Sequence, residues 1–547
     1  MTNSIPEIRD TDFLFVIGSN TSEAHPIIAM EMKRAVLKGA KMAVADPRAI
    51  WMTEIADWHL QINGGSDVWL LNAMAHVILD EGLEDKDFIA ANTEAFDSVR
   101  ETVKRYPPEE AEKVTGVPAE TIREVARQYA TAEKAGIYYT LGITEHTTGT
   151  DNVYALSNLV LMTGNLGKRS AGMNPLRGQN NVQGANDSGA TPTFYPGYQL
   201  AEDPEIRDKF SRAWGVEQNP KVGLNLNEMM KAMGKGELRG MYLMGEDIVI
   251  SEPNVARVEE AMNEMEFVVV QDIFFNESCR YADVVLPAAC FAEKDGVFTN
   301  SDRRVQRVRK AVDAPGEARE DWRIILEVMQ RSGLEQPDYQ HPSEVYAEMA
   351  ALTPKFAGIS YERIENEGGL QWPVETPDAP STEYLHRDGV LRGKGLFQAV
   401  EFRPPFESPD PEYPLVLSTG RTLYHYNAAT QTRRSEGLAG KQPEGFVEVH
   451  PKTARKLGVE DGQMVDVVSR RGRVRCRAMH SRQVKRHSIW MPFHFPKAQT
   501  NLLTTDAGDA VTGTGEYKVC AAKIEPVVDS NPERVFRGSY ANTLNER

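Results

Sequence analysis

A loop rich in amides and glycines, with a single arginine, is the densest set of side chains able to bind a small polar molecule. It reads NPLRGQNNVQGA over residues 174–185. Amide side chains both donate and accept hydrogen bonds, and the planar guanidinium of Arg177 can pair with both oxygens of a carboxylate. An ordinary surface loop is the alternative on composition alone. The loop is thus a candidate site for a small carboxylate.

Glycines and aspartates that follow apolar runs form a second candidate site, suited to a nucleotide. Gly18 and Gly65 would let the backbone approach a pyrophosphate, while Asp46, Asp67 and Asp272 could accept hydrogen bonds from ribose hydroxyls or a guanine edge. For any one aspartate, capping of the next helix is an equal alternative. Neither a GxGxxG fingerprint nor a GxxxxGK[ST] loop occurs in the sequence. This weighs against simple NAD binding or ATP hydrolysis.

Two further charged features have structural alternatives. His146 lies near the nucleotide-type loops in sequence and could contact a cofactor, but a histidine satisfied within the fold is an equal alternative. The arginine-rich stretch 303–310 could guide an anion. A solvated charged face is the commoner meaning of such a stretch.

Composition excludes several classes of function. With 62 basic and 79 acidic residues, the net charge of −17 disfavours nucleic-acid binding. No run approaches the ~18 apolar residues of a membrane span. The four cysteines, Cys279, Cys290, Cys476 and Cys520, are scattered. We therefore predict no disulfide, zinc site or iron–sulfur cluster within this chain, and a reducing, cytoplasmic compartment.

The elements that would position these residues follow an α/β pattern over most of the chain. Apolar runs bounded by turn residues predict strands at 13–17, 41–45, 137–141, 241–244, 267–270 and 284–286. Helices are predicted at about 26–38, 67–79 and 152–162, the second with Ser66 or Asp67 as its N-cap. The carboxyl ends of such parallel strands are where ligands bind.

The last part of the chain differs in character. Residues 353–414 are rich in proline, glycine and charge, and read as an irregular crossing segment. Short strand-like runs follow at 415–418, 446–449, 464–469 and 473–479. We therefore predict two doubly wound, Rossmann-like α/β domains, at 1–180 and 181–410, and a β-barrel domain at 411–547.

Several of these strings together resemble the molybdopterin oxidoreductase superfamily, and most closely the catalytic subunits of formate dehydrogenases. They include GSNTSEAHP (18–26), VADPR (44–48), GGSDVWLLNAMAHVI (64–78), TGNLG (163–167), NPLRGQNNVQGA (174–185), ADVVLPAA (282–289), AEKDGVFTNSDRRVQRV (292–308) and EYK (516–518). The resemblance runs from Met1 to about Pro526. It implies oxidation of formate to carbon dioxide at a molybdenum or tungsten atom held by two molybdopterin guanine dinucleotides, and a barrel of the double-psi type.

The resemblance also implies roles for single residues. Arg177 matches the arginine that holds formate beside the metal. Contacts with one dinucleotide are implied for Gly18, Asn20, Asp46, Arg48, Gly65 and Asp67. Contacts with the other are implied for Gly245, Glu246, Gln271 and Asp272. Further cofactor contacts are implied for Thr144 and Gln179, and in the barrel for Thr419, Arg421, His425, Asn501 and Lys518.

A segment upstream of Met1 is implied as well. Family members carry there a four-cysteine [4Fe–4S] segment and a cysteine or selenocysteine metal ligand followed by histidine. We therefore predict no metal ligand within this chain, and no formate dehydrogenase activity for the 547 residues alone. Electrons would leave through the upstream cluster to iron–sulfur or flavin- and NAD-binding partner subunits. An export signal on the upstream segment would change the predicted compartment.

Two other classes of function stay open. One is a different oxidoreductase of the superfamily, acting on nitrate or another small oxyanion. The second is a non-catalytic relative, such as the scaffold subunit of an NADH–quinone complex. Retention of Arg177 and Gln179 argues against the second.

Overall fold

The structure is a computed structural model that describes residues 1–335 and 337–528. The chain divides into two compact units, each assembled from separate stretches of sequence. The first unit contains Met1–Leu176, Asp247–Glu260 and the described chain from Tyr384 onward, and the second contains Arg177–Glu246 and Ala261–Glu383. The three sequence-contiguous domains, at 1–180, 181–410 and 411–547, stay a prediction.

Helices and strands alternate along most of the described chain. The α-helices are Thr21–Ala24, Pro26–Leu37, Asp67–Asp80, Lys86–Asn92, Phe96–Val103, Pro108–Thr115, Ala119–Thr131, Leu141–Thr144, Gly149–Met162, Val182–Asp187, Pro204–Trp214, Leu226–Met233, Ile248–Ser251, Val255–Asn263, Asp321–Arg331, Pro342–Ala351, Tyr361–Glu367, Glu436–Ala439 and Pro451–Leu457. The shortest strands are Thr93–Glu94, Phe194–Tyr195, Gln199–Leu200, Leu370–Gln371 and Gly395–Leu396.

The first unit contains a five-stranded parallel sheet. Its strands, in spatial order, are Trp58–Leu60, Lys41–Ala45, Phe13–Ile17, Ala135–Tyr139 and Gly172–Pro175. Phe13, Phe15 and Ile17 pack into one apolar cluster, and the alternating Leu14 and Val16 pack into another on the opposite face. Both faces are therefore covered, which explains the unbroken apolar run.

The second unit has a smaller parallel sheet. Its three strands lie in the order Val284–Pro287, Phe267–Asp272 and Gly240–Met244. A separate antiparallel sheet joins Gly296–Thr299, Arg304–Val308 and Leu370–Gln371. Sequential parallel strands of this kind place their carboxyl ends at one edge.

A closed six-stranded barrel completes the first unit. Its strands, in order around the barrel, are Leu415–Gly420, Ser488–Pro492, Phe446–Val449, Arg473–His480, Met464–Val468 and Cys520–Pro526. Alternate residues such as Leu417, Val447 and Val465 fill its interior. The predicted fold class, parallel α/β sheets followed by a C-terminal β-barrel, is confirmed. None of the described helices is long and apolar enough to span a bilayer.

Three local features differ in detail from the predictions. The strand expected at 137–141 ends at Tyr139, since the chain turns into the short helix Leu141–Thr144, where Gly142 packs against Gly18. Ser66 occupies the N-cap position of Asp67–Asp80 but makes no capping bond, because its hydroxyl donates to the Asn63 carbonyl at 2.6 Å.

The segment 353–414, expected to be irregular, contains the third exception. It forms the helix Tyr361–Glu367, which begins where the Ser360 hydroxyl accepts from the Arg363 amide at 3.2 Å. The helix ends at Gly368, whose φ of 71° is the left-handed conformation that glycine tolerates. The cap at Ser360 and the glycine at Gly368 favour a helix here, although the composition of the whole segment is typical of a loop.

Candidate functional site

A cleft in the first unit is lined by loops of both the five-stranded sheet and the barrel. It encloses about 1050 Å³, part of which is open to solvent. The residues predicted from sequence that line it are Gly18, Asn20, Asp46, Arg48, Gly65, Asp67, Thr419, Arg421 and Lys518. Loops from distant parts of the chain thus converge on one site at the carboxyl ends of the parallel strands.

Two touching backbones form one wall of the cleft. Gly18 has φ of 56°, and a Cβ added there would lie 2.7 Å from the backbone carbonyl carbon of Gly142. The Gly142 amide donates to the Gly18 carbonyl at 3.1 Å, and the Thr140 hydroxyl donates to the same oxygen at 2.6 Å. Any side chain at position 18 would separate these loops, so glycine is required at this turn.

A buried imidazole links two carboxylates beside the cleft. His146 Nδ1 lies 3.2 Å from Glu516 Oε1. Nε2 lies 3.0 Å from the Gly142 carbonyl oxygen and 4.0 Å from Asp67 Oδ2. Burial alone would lower the pKa of His146, but the Glu516 and Asp67 carboxylates outweigh it and raise the pKa to about 9. Burial raises the pKa of Asp67, with His146 opposing that shift. His146 therefore carries a positive charge at neutral pH and both lines the cleft and is satisfied within the fold.

A lysine extends this charged group. Lys518 pairs with Glu145 at 2.7 Å and donates to the Thr419 carbonyl at 3.1 Å. Its partner residues come from the loop after Ala135–Tyr139 and from the barrel strand Leu415–Gly420. The ammonium is thus held at the cleft by contacts from both sides.

Asp46 and Arg48 form another wall. Asp46 Oδ1 accepts from the Arg48 amide at 2.8 Å, so this aspartate does cap a local turn. Burial raises the pKa of Asp46 to about 6, although the Arg48 amide and guanidinium oppose the shift. Arg48 Nη2 pairs with Glu448 at 2.6 Å, and its guanidinium stacks 3.9 Å from the ring of Trp490. The arginine is therefore fixed in place before any ligand arrives.

The cleft has donors and acceptors that match a dinucleotide. Asn20 Oδ1 is buried and has no hydrogen-bond partner among the described residues, as expected of an acceptor that serves a ligand. Arg48, Arg421 and Lys518 supply positive charge for phosphates, and Asp67 supplies a buried acceptor. These residues fit a nucleotide with a pyrophosphate.

Three other predicted cofactor residues of the first unit do not line this cleft. Thr144 ends the short helix Leu141–Thr144. Both ring nitrogens of His425 are bonded, to the Gln442 carbonyl at 2.8 Å and to the Thr432 hydroxyl at 3.1 Å. Asn501 Nδ2 donates to two backbone carbonyls, those of Ile250 at 2.9 Å and Ser251 at 3.0 Å. Their cofactor contacts stay predictions.

The second set of predicted nucleotide residues lies together at the edge of the smaller sheet. Gly245 and Glu246 follow the strand Gly240–Met244, while Gln271 and Asp272 end the strand Phe267–Asp272. Asp272 accepts from the Phe274 amide at 3.1 Å and from Asn276 Nδ2 at 2.8 Å.

Gln271, at the same edge, is engaged at both ends of its amide. Its Nε2 donates to Asp321 at 2.7 Å, and its Oε1 accepts from the Tyr242 hydroxyl. Both Gln271 and Asp272 therefore contribute to local structure, whatever else they bind.

Arg177 is held by its own loop. Its amide donates to the Ser301 hydroxyl at 3.1 Å, and its Nε donates to Gln183 Oε1 at 3.2 Å. Gln179, two positions further on, is half-buried. The neighbouring Asn181 side chain accepts from the Thr299 amide at 2.9 Å, which ties the loop to the segment 299–301.

Sequence reasoning missed several residues of the cleft. Gly142 had no role assigned to it, and Trp490 belongs to a barrel strand that no sequence pattern indicated. Glu516 lies within the string EYK, which was noted only for its resemblance. The sequence signal for Glu516 was its position, as an acidic residue, within a string that resembles the family.

Comparisons with known proteins agree with this geometry. Residues 1–331 match the family model of molybdopterin oxidoreductases, and residues 415–521 match that of the molydopterin dinucleotide binding domain. The F420-dependent formate dehydrogenase 2 subunit alpha of Methanococcus maripaludis is 44% identical over 96% of this chain and 78% of its own length. Formate dehydrogenase H of Escherichia coli is 40% identical over 100% of this chain and 77% of its own.

A solved structure supports the fold. Acetylene hydratase from Pelobacter acetylenicus superposes with a TM-score of 0.76 at 20% identity, covering 96% of this chain and 81% of its own. At that identity the likeness concerns the fold alone. The family models together cover most of the chain, and the relatives above match nearly all of it. This chain therefore belongs to the molybdopterin oxidoreductase family, among the alpha subunits of formate dehydrogenases.

Proposed function

We propose that this chain is the catalytic subunit of an enzyme that oxidises formate to carbon dioxide, releasing two electrons and one proton. The observation that carries the proposal is the 44–45% identity to formate dehydrogenase alpha subunits over 96% of the chain. The cleft chemistry supports it, since a dinucleotide cofactor requires the phosphate-binding cations and buried acceptors found there.

The cofactor in this proposal is a bis(molybdopterin guanine dinucleotide) with molybdenum or tungsten. Asp67 would accept from the guanine edge, and Arg48, Arg421 and Lys518 would neutralise phosphates. When bound, the metal and its sulfur ligands supply the acceptor for the electrons of the formate C–H bond. The [4Fe–4S] cluster belongs to the same proposal only with the upstream segment present.

Arg177 would act on the substrate. Its guanidinium matches the planar carboxylate of formate, and two parallel N–H···O bonds would fix the direction of the C–H bond. Orientation of a bound substrate accounts for a large part of many rate accelerations. The residue's contribution is therefore positioning and charge, with no covalent step of its own.

Partner subunits would receive the electrons, through iron–sulfur or flavin- and NAD-binding centres. A cytoplasmic site is part of the proposal and is supported by the four cysteines, which form no disulfide with one another.

Substrate choice among small oxyanions is the direct test. The assembled enzyme, loaded with metal and dinucleotide, should reduce an artificial electron acceptor with formate. It should not oxidise a reduced dye with nitrate at a comparable rate. Guanine nucleotide and metal are measured in the same preparation. A loaded enzyme that turns over nitrate but not formate would assign the chain to another reaction of the family.

A further inference from the structure

A closed hydrogen-bond network lies behind Arg177 in the second unit. Asp187 is only 3% exposed and Gln183 only 4%. Both lie on the helix Val182–Asp187, four positions apart and hence on the same face. Gln183 Nε2 donates to Asp187 Oδ1 at 2.8 Å, and Gln183 Oε1 accepts from Arg177 Nε at 3.2 Å. One glutamine thus connects a buried carboxylate to the guanidinium.

Two aromatic donors complete the surroundings of the carboxylate. The Tyr198 hydroxyl donates to Asp187 Oδ1 at 2.8 Å, and Trp372 Nε1 donates to Oδ2 at 2.7 Å. Gln183 Nε2 also donates to the Tyr198 oxygen at 2.9 Å. The Trp372 indole and the NH2 group of Gln183 can only donate, so both oxygens of Asp187 act as acceptors.

This directionality determines which end of the Gln183 amide faces Arg177. Gln183 Nε2 lies within hydrogen-bond distance of both Asp187 Oδ1 and the Tyr198 oxygen. The carbonyl oxygen is therefore the end that meets the Arg177 Nε–H group. If the amide were reversed, an NH2 group would face the guanidinium and a carbonyl would face a carboxylate, and both contacts would be repulsive.

We propose that Asp187 is a positioning residue for substrate binding: through Gln183 it fixes the plane of the Arg177 guanidinium that pairs with formate. The inference rests on the proposed function, in which Arg177 holds formate. Gln183 Oε1 accepts from the Nε–H group of Arg177. A guanidinium that is held at Nε keeps its plane when a carboxylate pairs with it.

The decisive variants exchange the acceptor between positions 183 and 187. In the assembled holoenzyme, Asp187→Asn can donate to Gln183 and lets its amide reverse. We expect kcat with formate to fall about tenfold, while KM changes less than threefold. Gln183→Glu places two carboxylates side by side and should be impaired to a similar degree. The double variant restores one carboxylate and one amide, with the carboxylate now facing Arg177, and should recover to within about threefold of the parent.

Controls separate positioning from folding. Guanine nucleotide content should stay near parental in all three variants, which shows that the holoenzyme has folded and assembled. Should Asp187→Asn fail to fold, Tyr198→Phe removes one bond from the same oxygen and should lower kcat about threefold. Tyr195→Phe, three positions away, is the matched control and should leave kcat unchanged.

The outcomes distinguish this inference from the function on which it rests. Parental kinetics in Asp187→Asn together with an impaired Arg177→Lys would overturn the positioning role alone. A double variant no better than either single variant would also overturn it, because a purely structural carboxylate gains nothing from the exchange. Parental kinetics in Arg177→Lys would overturn the assignment of formate to this arginine.

Discussion

The three aspartates proposed for nucleotide binding are held in different ways. Asp46 and Asp272 each accept a hydrogen bond from a backbone amide two residues further along the chain, those of Arg48 and Phe274. Asp67 instead begins a helix beside the imidazolium of His146. A carboxylate that does not already accept from a turn amide has more acceptor capacity for a ligand than one that does. Asp67 is therefore the first of the three to test.

Replacement of Asp67 should weaken cofactor retention. Asp67→Asn removes the negative charge and half of the acceptor capacity at a site that is 2% exposed. Loss of a charged hydrogen bond of roughly 1.5–3 kcal/mol predicts a ten- to hundredfold weaker hold on guanine nucleotide. The measurement is nucleotide released per mole after denaturation of the purified enzyme. Asp80→Asn, at the exposed end of the same helix, is the control and should retain full content.

Replacement of Arg177 should affect turnover more than cofactor content. Arg177→Lys keeps the charge but loses the planar guanidinium that can pair with both oxygens of formate. Loss of such a pair costs roughly 1.5–3 kcal/mol, so kcat/KM for formate should fall about ten- to a hundredfold. Metal and nucleotide content should hold. Arg212→Lys, on an exposed helix of the same unit, should behave as the parent. Near-parental kinetics in Arg177→Lys would mean that another residue holds the carboxylate.

The charge on His146 predicts a pH dependence of stability. Its pKa is about 9 in the folded chain against an ordinary value of 6.5. The raised pKa adds to the free energy of unfolding. This contribution is fully present below about pH 6.5 and is lost as the pH rises through about 9. The thermal unfolding midpoint should therefore fall over that range, and His146→Gln should flatten the decline. The exposed His341→Gln is the control. Equal slopes in all three proteins would show that His146 is neutral when folded.

At this scale the sequence was informative about residue types but not about their partners. The lining of the cleft by Gly18, Asp46 and Asp67 follows from their positions after parallel strands. The pairing of His146 with Glu516 could not be foreseen, since these two residues are 370 positions apart and only closure of the barrel onto the sheet unites them.

At the scale of elements, the contact between the loops of Gly18 and Gly142 sets the shape of the cleft. Gly18→Ala combines a positive φ with a 2.7 Å clash against backbone, which cannot move aside as a flexible side chain can. We expect a loss of about 1–3 kcal/mol in the free energy of unfolding, with reduced nucleotide retention.

A glycine of similar conformation provides the control for that change. Gly82 has φ of 67°, but a Cβ added there meets nothing within 4 Å. Gly82→Ala therefore reports the conformational cost alone, about 1 kcal/mol, with full nucleotide content. If both variants lose stability equally and keep their nucleotide, the contact between the two loops is not what shapes the cleft.

Which elements could be predicted depended on how their apolar residues are arranged. Strands buried on both faces, such as Phe13–Ile17, appear as unbroken apolar runs and were found within a residue or two. The barrel strands Ser488–Pro492 and Cys520–Pro526 were not found. The first reads SIWMP, a short apolar run that ends in proline, and the second reads CAAKIEP, so neither shows the alternation that predicts a strand. They are strands because the barrel closes through them.

At the scale of the whole first unit, a buried ion pair joins the sheet to the barrel. Arg48 and Glu448 are 400 positions apart in sequence, and their side chains are only 12% and 2% exposed. Glu448→Gln leaves the guanidinium without its counter-charge, so a loss of about 3–5 kcal/mol is expected. Chemical denaturation measures this loss in the free energy of unfolding. Glu444→Gln is the control, because Glu444 pairs with Arg477 while its side chain is 48% exposed. It should lower the free energy of unfolding by no more than about 1 kcal/mol. Equal losses would mean that burial does not strengthen the first pair.

The distance along the chain between the two walls of the cleft has a consequence for biosynthesis. A ribosome adds about 5–20 residues per second, so the ~400 positions between these walls take roughly 20–80 s to appear. Throughout that time the nascent chain displays Gly18, Asp67 and His146 without the barrel strands that enclose them. The cleft exists only once Glu516 and Lys518 have emerged. Cofactor loading must therefore follow translation at least as far as Lys518, and the early portion needs protection from off-pathway association until then.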